Sequence, residues 1–152
     1  MANDAVAAQA LTTQAVFFLP CTVQWGDCDP AGIIYYPTYY RWMDNATWAM
    51  FAQAGYNAAR IRSEQLSLPL VHADCTFERS PTFGDACVVQ SQIARWGRKS
   101  FIVAHAIVTA GGAALAIGSE TRVWCRYESG PGSPLHGEVI PDALKALFAQ
   151  PQ

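Results

Sequence analysis

The sequence GDCDPAGIIYYP at residues 26–37 joins a β-type pattern to a helical one and so decides the fold. The apolar run at residues 16–25 before it favours a strand. Pro37 fits the first turn of a helix, where the first N–H groups lack partners and attract negative charge. A carboxylate from Asp27 or Asp29 beside that helix start makes the turn a candidate acyl-transfer site.

The helix predicted after this turn extends to about residue 54 and is apolar around much of its circumference. Apolar residues recur there at spacings of three and four, namely Tyr39, Trp42, Met43, Ala46, Met50 and Ala54. Trp48, Ala49 and Phe51 widen this stripe. A helix of this kind is expected to be enclosed by other elements rather than exposed on a surface.

Beyond the helix the apolar period changes to two, which predicts strands. Strands are predicted at residues 68–78, 86–96, 99–110 and 113–127, short helices at 58–65 and 141–148, and a Gly/Pro/Ser loop at 129–136. In the last strand Glu120, Arg122 and Arg126 alternate with an apolar set on the opposite face. This order predicts one α+β domain with an antiparallel sheet over residues 1–152, with a loose tail at residues 1–14.

The composition is that of a folded chain with little net charge. Of the 152 residues 51% are hydrophobic and 14% are charged, which excludes a disordered chain and suggests burial against another subunit. The net charge of −2 favours no nucleic-acid partner. Five cysteines without a CxxC pair indicate neither a zinc site nor a disulfide framework, so we expect a cytoplasmic location. We recognise no signal peptide and no run of about 20 apolar residues, so no membrane partner is expected.

The acids of the turn also have a simpler explanation. An aspartate in a turn rich in Gly and Pro commonly accepts hydrogen bonds from nearby backbone N–H groups, and this reading applies to both Asp27 and Asp29. A metal site is not predicted there, because His72, His105 and His136 lie far apart in the sequence. A lone strand histidine such as His105 is more often a satisfied core or interface residue.

Three segments carry a resemblance to a known family. The motif GDCDPAGI, the pair Tyr36-Pro37 and the run RWMD at residues 41–44 resemble the 4-hydroxybenzoyl-CoA thioesterase family of hotdog-fold acyl-CoA thioesterases, in its Pseudomonas-type branch. The similarity includes WGRKSF at residues 96–101 and covers about residues 20–127. It implies a hotdog fold, in which the sheet wraps around the long helix. It also implies hydrolysis of an aryl-CoA thioester, most simply 4-hydroxybenzoyl-CoA, without a metal or other cofactor.

The resemblance also implies roles for single residues. Asp29 would attack the thioester carbonyl as a nucleophile or activate a water as general base, while Asp27 would be structural. The backbone N–H of Tyr36 would bind the thioester oxygen. Asp44 would accept a hydrogen bond from the para-hydroxyl of the aryl group, and the alternative is a helix-surface aspartate paired with Arg41 or a neighbour.

Arg98 and Lys99 match positions that bind CoA phosphates in the family. Gly97 stands where the family has another Arg, and Arg95 and Arg126 are candidates to compensate. The alternative for the basic pair is a solvated hairpin tip. Members of the family form tetramers as dimers of dimers, with sites at subunit interfaces, which implies a homotetramer.

Other functions on the same fold stay open. A second branch of hotdog thioesterases uses a Glu on the central helix, but this chain has no Glu before Glu64, which favours the branch that uses Asp29. A thioesterase for short-chain or other acyl-CoAs would share the same residues. A non-catalytic acyl-CoA-binding protein would bind CoA esters and release no thiol. A hotdog dehydratase is disfavoured, because no His lies near the turn or on the predicted long helix.

Overall fold

The computed structural model of the chain describes residues 15–149, so the predicted tail at 1–14 lies outside the described residues. The strands are β1 (Phe17–Thr22), β2 (Leu66–Ser67), β3 (Leu70–Phe77), β4 (Ala86–Trp96), β5 (Ser100–Thr109), β6 (Ala114–Val123), β7 (Cys125–Tyr127) and β8 (Leu135–Gly137). The helices are α1 (Pro37–Gln53), α2 (Ala58–Ser63) and α3 (Asp142–Leu147), and a 3-10 helix covers Trp25–Asp27.

Five strands form an antiparallel sheet in the order β1-β4-β5-β6-β3, and β2, β7 and β8 form a second, three-stranded sheet. The large sheet packs on α1, which confirms the predicted hotdog arrangement of an antiparallel sheet and one dominant helix. Strands β1 and β3 are the edges of the large sheet. The long second half of the chain therefore supplies most of the surface that encloses the helix.

The helix α1 rests on the sheet through a continuous apolar stripe. Its buried residues are Thr38, Tyr39, Trp42, Met43, Ala46, Thr47, Met50 and Phe51. At Gly118, β6 packs tightly against both β3 and α1, because an added Cβ would lie 2.5 Å from the Asp74 carbonyl oxygen and 2.7 Å from Met43 Sδ. Only glycine lets the backbones come so near. Neither α1 nor any other helix within residues 15–149 is long and apolar enough to span a membrane.

Several boundaries differ from the sequence prediction. The strand predicted at 16–25 ends at Thr22, β2 was not predicted, and two further differences lie in the last third of the chain. The strand predicted at 113–127 is divided, because β6 ends at Val123 and β7 joins the second sheet. Trp124 lies at the break, where it is buried and its N–H donates to the Lys99 carbonyl at 2.8 Å. The loop predicted at 129–136 overlaps β8, which forms because it can pair with β7. Both differences depend on contacts that local periodicity does not report.

The face of β6 that packs against α1 carries charge. Glu120 and Arg122 are buried on this face, with Thr47 of the helix donating a hydrogen bond to Glu120. The alternation predicted for this strand is present, but its charged residues point inward. Their hydrogen bonds and ion pair offset part of the cost of burying two charges.

Candidate active site

The turn before α1 is tied into the fold by backbone hydrogen bonds. Asp29 N donates to the Ile33 carbonyl at 2.9 Å, and Gly32 N donates back to the Asp29 carbonyl at 2.9 Å. Gly32 has φ +77°, a left-handed conformation that glycine adopts without strain. A bridge between Ile33 and Thr82 attaches the turn to the loop before β4. The acids are therefore held on a defined backbone at one end of the sheet.

Both carboxylate oxygens and the carbonyl oxygen of Asp27 accept hydrogen bonds. Asp27 is 4% exposed, its Oδ2 accepts a hydrogen bond from Gln24 N at 2.8 Å, and its other oxygen pairs with Arg41. Its carbonyl accepts from Tyr35 N at 2.7 Å. Asp27 thus joins the 3-10 helix to the start of α1, and these contacts favour the structural role predicted for it.

Asp29 has one oxygen held and one oxygen free. Its side chain is half-buried, and Oδ1 accepts a hydrogen bond from Ala31 N at 2.8 Å, the arrangement expected of an aspartate in a turn. Within residues 15–149 no donor is bonded to Oδ2. The turn-forming explanation therefore accounts for the hydrogen bond to Oδ1. Oδ2 remains available to act as nucleophile or base.

The amide of Tyr36 is a free donor at the start of α1. The neighbouring amides are bonded, with Tyr35 N donating to Asp27 and Thr38 N donating to the Tyr35 carbonyl at 2.9 Å. For the Tyr36 N–H no acceptor is found in the described part of the chain. A 17-residue helix begins directly behind it, so its dipole favours negative charge at this point. The structure thus brings a free carboxylate oxygen and a free helix-start amide into the same turn.

Asp44 lies farther along α1 and has a partner that the sequence did not suggest. Its Oδ1 accepts a hydrogen bond from Arg122 Nη2 at 2.5 Å, while its side chain remains 48% exposed. Arg41 of α1, the partner named from the sequence, pairs with Asp27 of the turn instead. Eight residues separate Asp44 from Tyr36, which corresponds to about 12 Å along a helix axis.

Behind Asp44 is a buried polar cluster that sequence reasoning missed. Arg122 Nη2 and Nε donate to Glu120 at 2.9 and 3.1 Å, and Thr47 Oγ1 donates to Glu120 Oε2 at 2.6 Å. His105 Nε2 lies 3.4 Å from Glu120 Oε2, and its Nδ1 lies 2.8 Å from Ser91 Oγ. His105 is a satisfied core residue, as its strand position suggested. The available signal was a pair of opposite charges, two residues apart, on one face of an otherwise apolar strand.

The cluster keeps its carboxylate ionised. Burial raises the pKa of Glu120, but hydrogen bonds from His105, Arg122 and Thr47 outweigh that effect and lower the pKa to about 2. At neutral pH the cluster therefore holds a full negative charge on Glu120 next to the Arg122 guanidinium.

Arg98 and Lys99 form the exposed tip of the β4–β5 hairpin. Lys99 Nζ donates to the Gly137 carbonyl at 2.7 Å. The acid turn is at the other end of β4, and the 11 residues of this strand span roughly 30 Å between the Cα atoms of Ala86 and Trp96. Within one chain, the basic pair and Asp29 are therefore not parts of one site.

Arg95 and Arg126, the candidates to replace the Arg that the family has at position 97, differ in whether they already have an ion-pair partner. Arg126 is paired with Glu138 at 3.2 Å and also donates to a backbone carbonyl, so its guanidinium is engaged. Arg95 is exposed and has no ion pair within residues 15–149. At position 97 itself a Cβ would lie 2.9 Å from the Ser100 carbonyl oxygen, so a side chain there requires the hairpin to shift.

Two partly buried thiols, those of Cys21 and Cys75, are poor nucleophiles and poor metal ligands. Burial raises the pKa of Cys21 and of Cys75 to about 12, so both are protonated at neutral pH. No cluster of three or more His, Cys, Asp or Glu side chains in the described part of the chain could hold a metal ion. Asp29, whose Oδ2 has no donor within residues 15–149, is the candidate for nucleophile or base in the turn.

Comparisons with known proteins identify the family and the fold of the chain. The family model described as the Thioesterase-like superfamily matches residues 23–148. A 4-hydroxybenzoyl-CoA thioesterase from Pseudomonas sp. (strain CBS-3) is 33% identical over 95 residues, which are 59% of this chain and 67% of that protein. A 1,4-dihydroxy-2-naphthoyl-CoA hydrolase from Prochlorococcus marinus (strain MIT 9303) is 29% identical over 127 residues, covering 71% of this chain and 82% of the relative.

Solved structures match over nearly their full length. The structure of the Pseudomonas 4-hydroxybenzoyl-CoA thioesterase has a TM-score of 0.77 and 28% identity, covering 88% of this chain and 99% of that one. A gentisyl-coenzyme A thioesterase has a TM-score of 0.75 and 30% identity, covering 85% of this chain and 99% of that one. The names of these three relatives each give a CoA thioester as the substrate, and the named aryl groups differ.

Proposed function

The chain belongs to the thioesterase-like superfamily and is a thioester hydrolase, and we propose that it hydrolyses an aryl-CoA thioester, with 4-hydroxybenzoyl-CoA as its best substrate. Water would cleave the thioester to 4-hydroxybenzoate and CoA. The observation that carries this proposal is that Asp29 Oδ2 and the Tyr36 N–H, both in the segment that leads into α1, have no hydrogen-bond partner within residues 15–149. A carboxylate and an oxyanion donor in one turn are what hydrolysis of an acyl group requires.

In the proposed mechanism the thioester oxygen accepts a hydrogen bond from the Tyr36 N–H. Negative charge grows on that oxygen as the carbonyl carbon is attacked, and the dipole of α1 stabilises it. Asp29 either attacks the carbon itself and displaces CoA, forming a hydroxybenzoyl–aspartyl mixed anhydride that water then cleaves, or removes a proton from the attacking water. CoA leaves as the thiolate and is protonated. Neither route needs a metal or a redox cofactor.

The two routes differ in whether the acyl group is ever bonded to the protein. Under single-turnover conditions, the protein is quenched in acid within milliseconds and its intact mass is measured. The nucleophilic route predicts a transient species heavier by the hydroxybenzoyl group, and this species should be absent when Asp29 is replaced by Asn. The general-base route predicts no such mass at any time point.

A panel of CoA esters tests the substrate. We expect thiol release with 4-hydroxybenzoyl-CoA at a higher kcat/KM than with benzoyl-CoA, gentisyl-CoA, 1,4-dihydroxy-2-naphthoyl-CoA or acetyl-CoA. A preference for another of the aryl esters would reject the ring assignment and keep the aryl-CoA class. A preference for acetyl-CoA, or no hydrolysis of any aryl ester, would reject the proposal.

Asp44 is proposed to recognise the ring hydroxyl. Its Oδ1 is bonded to Arg122, its side chain is about half exposed, and no donor within residues 15–149 is bonded to Oδ2. A bound ring that displaces water from Asp44 but carries no hydroxyl would leave this acceptor unsatisfied, which disfavours that substrate. Asp44→Ala should therefore lower the ratio of kcat/KM for 4-hydroxybenzoyl-CoA over benzoyl-CoA. An unchanged ratio would mean that Asp44 does not contact the ring.

The positions of the basic pair support a site shared between subunits of a homotetramer. A CoA ester that reached both Asp29 and Arg98–Lys99 of one chain would have to run along the whole sheet. The edge strand β3 also presents exposed apolar side chains, with Val71 62% exposed and Phe77 45% exposed. An open, apolar sheet edge is commonly covered by another chain. We therefore propose that Arg98 and Lys99 bind the CoA phosphates of a substrate whose thioester lies at the partner subunit.

Mixed oligomers test this sharing. Asp29→Asn and the double variant Arg98→Ala/Lys99→Ala are assayed alone at low substrate, and then as co-expressed mixed oligomers whose mass is measured by light scattering. If the site is shared, mixing creates sites with both functional elements, and the activity exceeds the average of the two parents. An activity equal to that average would place both elements in one chain, and a monomer would reject the tetramer.

A cytoplasmic location is proposed from the cysteines. All five are free thiols in the structure, including Cys21 and Cys87, which lie opposite each other on β1 and β4. Free thiols are typical of a reducing compartment. The mass of the protein isolated from its cells under acid quench should therefore correspond to five reduced cysteines.

A further inference from the structure

We propose that Arg122 is a positioning residue for substrate specificity: its buried guanidinium holds the Asp44 carboxylate in the orientation that accepts a hydrogen bond from the ring hydroxyl. The inference rests on the proposed function of Asp44. It adds a second residue to ring recognition, from a strand distant in sequence, and it gives the buried cluster a function.

The guanidinium of Arg122 is fixed by four hydrogen bonds. Nε and Nη2 donate to the two oxygens of Glu120 at 3.1 and 2.9 Å, and Nη1 donates to the Leu68 carbonyl at 3.0 Å. Nη2 also donates to Asp44 Oδ1 at 2.5 Å. Three of these bonds go to groups other than Asp44, so the planar guanidinium cannot turn without losing them. The orientation of the Asp44 carboxylate is therefore set by the interior of the protein.

The difference in exposure gives the two residues different tasks. The Arg122 side chain is 3% exposed and the Asp44 side chain is 48% exposed. A bound ring can reach the carboxylate but cannot reach the guanidinium. Arg122 consequently acts on the substrate only through Asp44.

Burying the charged cluster behind Arg122 costs desolvation free energy that apolar residues in a purely structural role would not cost. Glu120 and Arg122 are both buried, and buried ion pairs are often replaced by apolar residues without loss of stability. Glu120 is held in turn by Thr47 at 2.6 Å and by His105 at 3.4 Å. The guanidinium bonds both oxygens of Glu120 but only Oδ1 of Asp44, so Asp44 Oδ2, which has no donor within residues 15–149, remains for the ring hydroxyl. A positioning function explains why these charges lie inside the fold.

The test compares discrimination rather than activity. Lysine at 122 keeps the charge but cannot hold Glu120, Leu68 and Asp44 in one plane. For Arg122→Lys we expect the ratio of kcat/KM for 4-hydroxybenzoyl-CoA over benzoyl-CoA to fall on the order of tenfold, since a hydrogen bond to a charged group is affected. In an Asp44→Ala background the same change should lower the ratio no further, because the two residues act as one unit.

Controls separate positioning from general loosening of the cluster. Thr47→Val removes a hydrogen bond to Glu120 without touching Asp44 or Arg122, and should lower the melting temperature while leaving the ratio unchanged. If Arg122→Lys does not fold, the double variant Glu120→Gln/Arg122→Met removes both buried charges together, and the same fall in the ratio is expected.

Two results would overturn the inference, and they differ in what else they reject. If Asp44→Ala lowers the ratio but both Arg122 variants leave it unchanged, Arg122 is structural and only this inference fails. If Asp44→Ala also leaves the ratio unchanged, the proposed contact between Asp44 and the ring fails with it. If kcat/KM falls equally for both substrates in the Arg122 variants, the ratio is unchanged, and Arg122 is again structural.

Discussion

Replacing Asp29 by asparagine should remove most of the catalytic rate and almost none of the stability. Asparagine has nearly the same volume, and its Oδ1 can still accept the hydrogen bond from Ala31 N, which measures 2.8 Å. It cannot act as a nucleophile or base. The turn should therefore keep its shape while its reactive oxygen is lost.

The magnitudes follow from these contacts. A positioned general base contributes about 10²–10⁴ in rate, so we expect kcat to fall by at least about 100-fold. Since Asp29 is only half-buried and its turn bond is kept, the change in the free energy of unfolding should stay within about 0.5 kcal/mol. KM should change little, because the substrate contacts proposed for Tyr36 and Asp44 remain.

Asp27→Ala is the matched control in the same turn. It leaves Gln24 N and Arg41 without their buried acceptor, which should cost about 1–3 kcal/mol of stability. For a chain of this length that corresponds to a fall in Tm of about 2–4 °C per kcal/mol. Below its Tm this variant should lose far less kcat than Asp29→Asn.

The assay measures thiol release with 4-hydroxybenzoyl-CoA, together with thermal unfolding by circular dichroism, for both variants. The reasoning would be refuted if Asp29→Asn kept a turnover close to that of the wild type. It would also fail if Asp29→Asn lost stability as Asp27→Ala does, because the carboxylate would then be a structural element of the turn.

Three further predictions concern the packing and the titrating groups. Gly118→Ala should cost about 1–3 kcal/mol of stability in denaturant unfolding, because its Cβ would lie 2.5 Å from a carbonyl oxygen of β3 and 2.7 Å from a methionine sulfur of α1. Gly111→Ala, whose Cβ would meet its nearest neighbour at 3.8 Å, is the control and should be nearly neutral. At pH 8 iodoacetamide should alkylate Cys21 and Cys75 much more slowly in the folded than in the denatured protein, because burial raises both pKa values to about 12; equal rates by peptide mass spectrometry would contradict this. Since the pKa of Glu120 is lowered from 4.5 to about 2 on folding, its stabilising effect is present above pH 4.5 and is lost as the pH falls toward 2. Glu120→Gln should flatten the acid limb of the stability curve in this window, and an unchanged limb would show that Glu120 does not cause it.

The sequence by itself determined the elements and the acid turn. The strand before residue 26, the long helix after Pro37 and the period-two strands beyond it are set by local patterns of apolar residues and by turn chemistry. The structural role of Asp27 and the catalytic role of Asp29 were implied by the family resemblance, and the contacts of both residues are consistent with these roles. Local interactions decide such features, so they can be seen along the chain.

Only the tertiary structure decided which groups meet. Alternation along β6 separates two faces, but it does not tell which face lies against α1, and the charged one does. Asp44 and Arg122 are 78 residues apart, and no local rule pairs them. The same holds for the separation of the acid turn from the basic hairpin, which lie at opposite ends of the 11-residue strand β4. These contacts depend on strand order and on the packing of the helix, which bring together residues from distant parts of the chain.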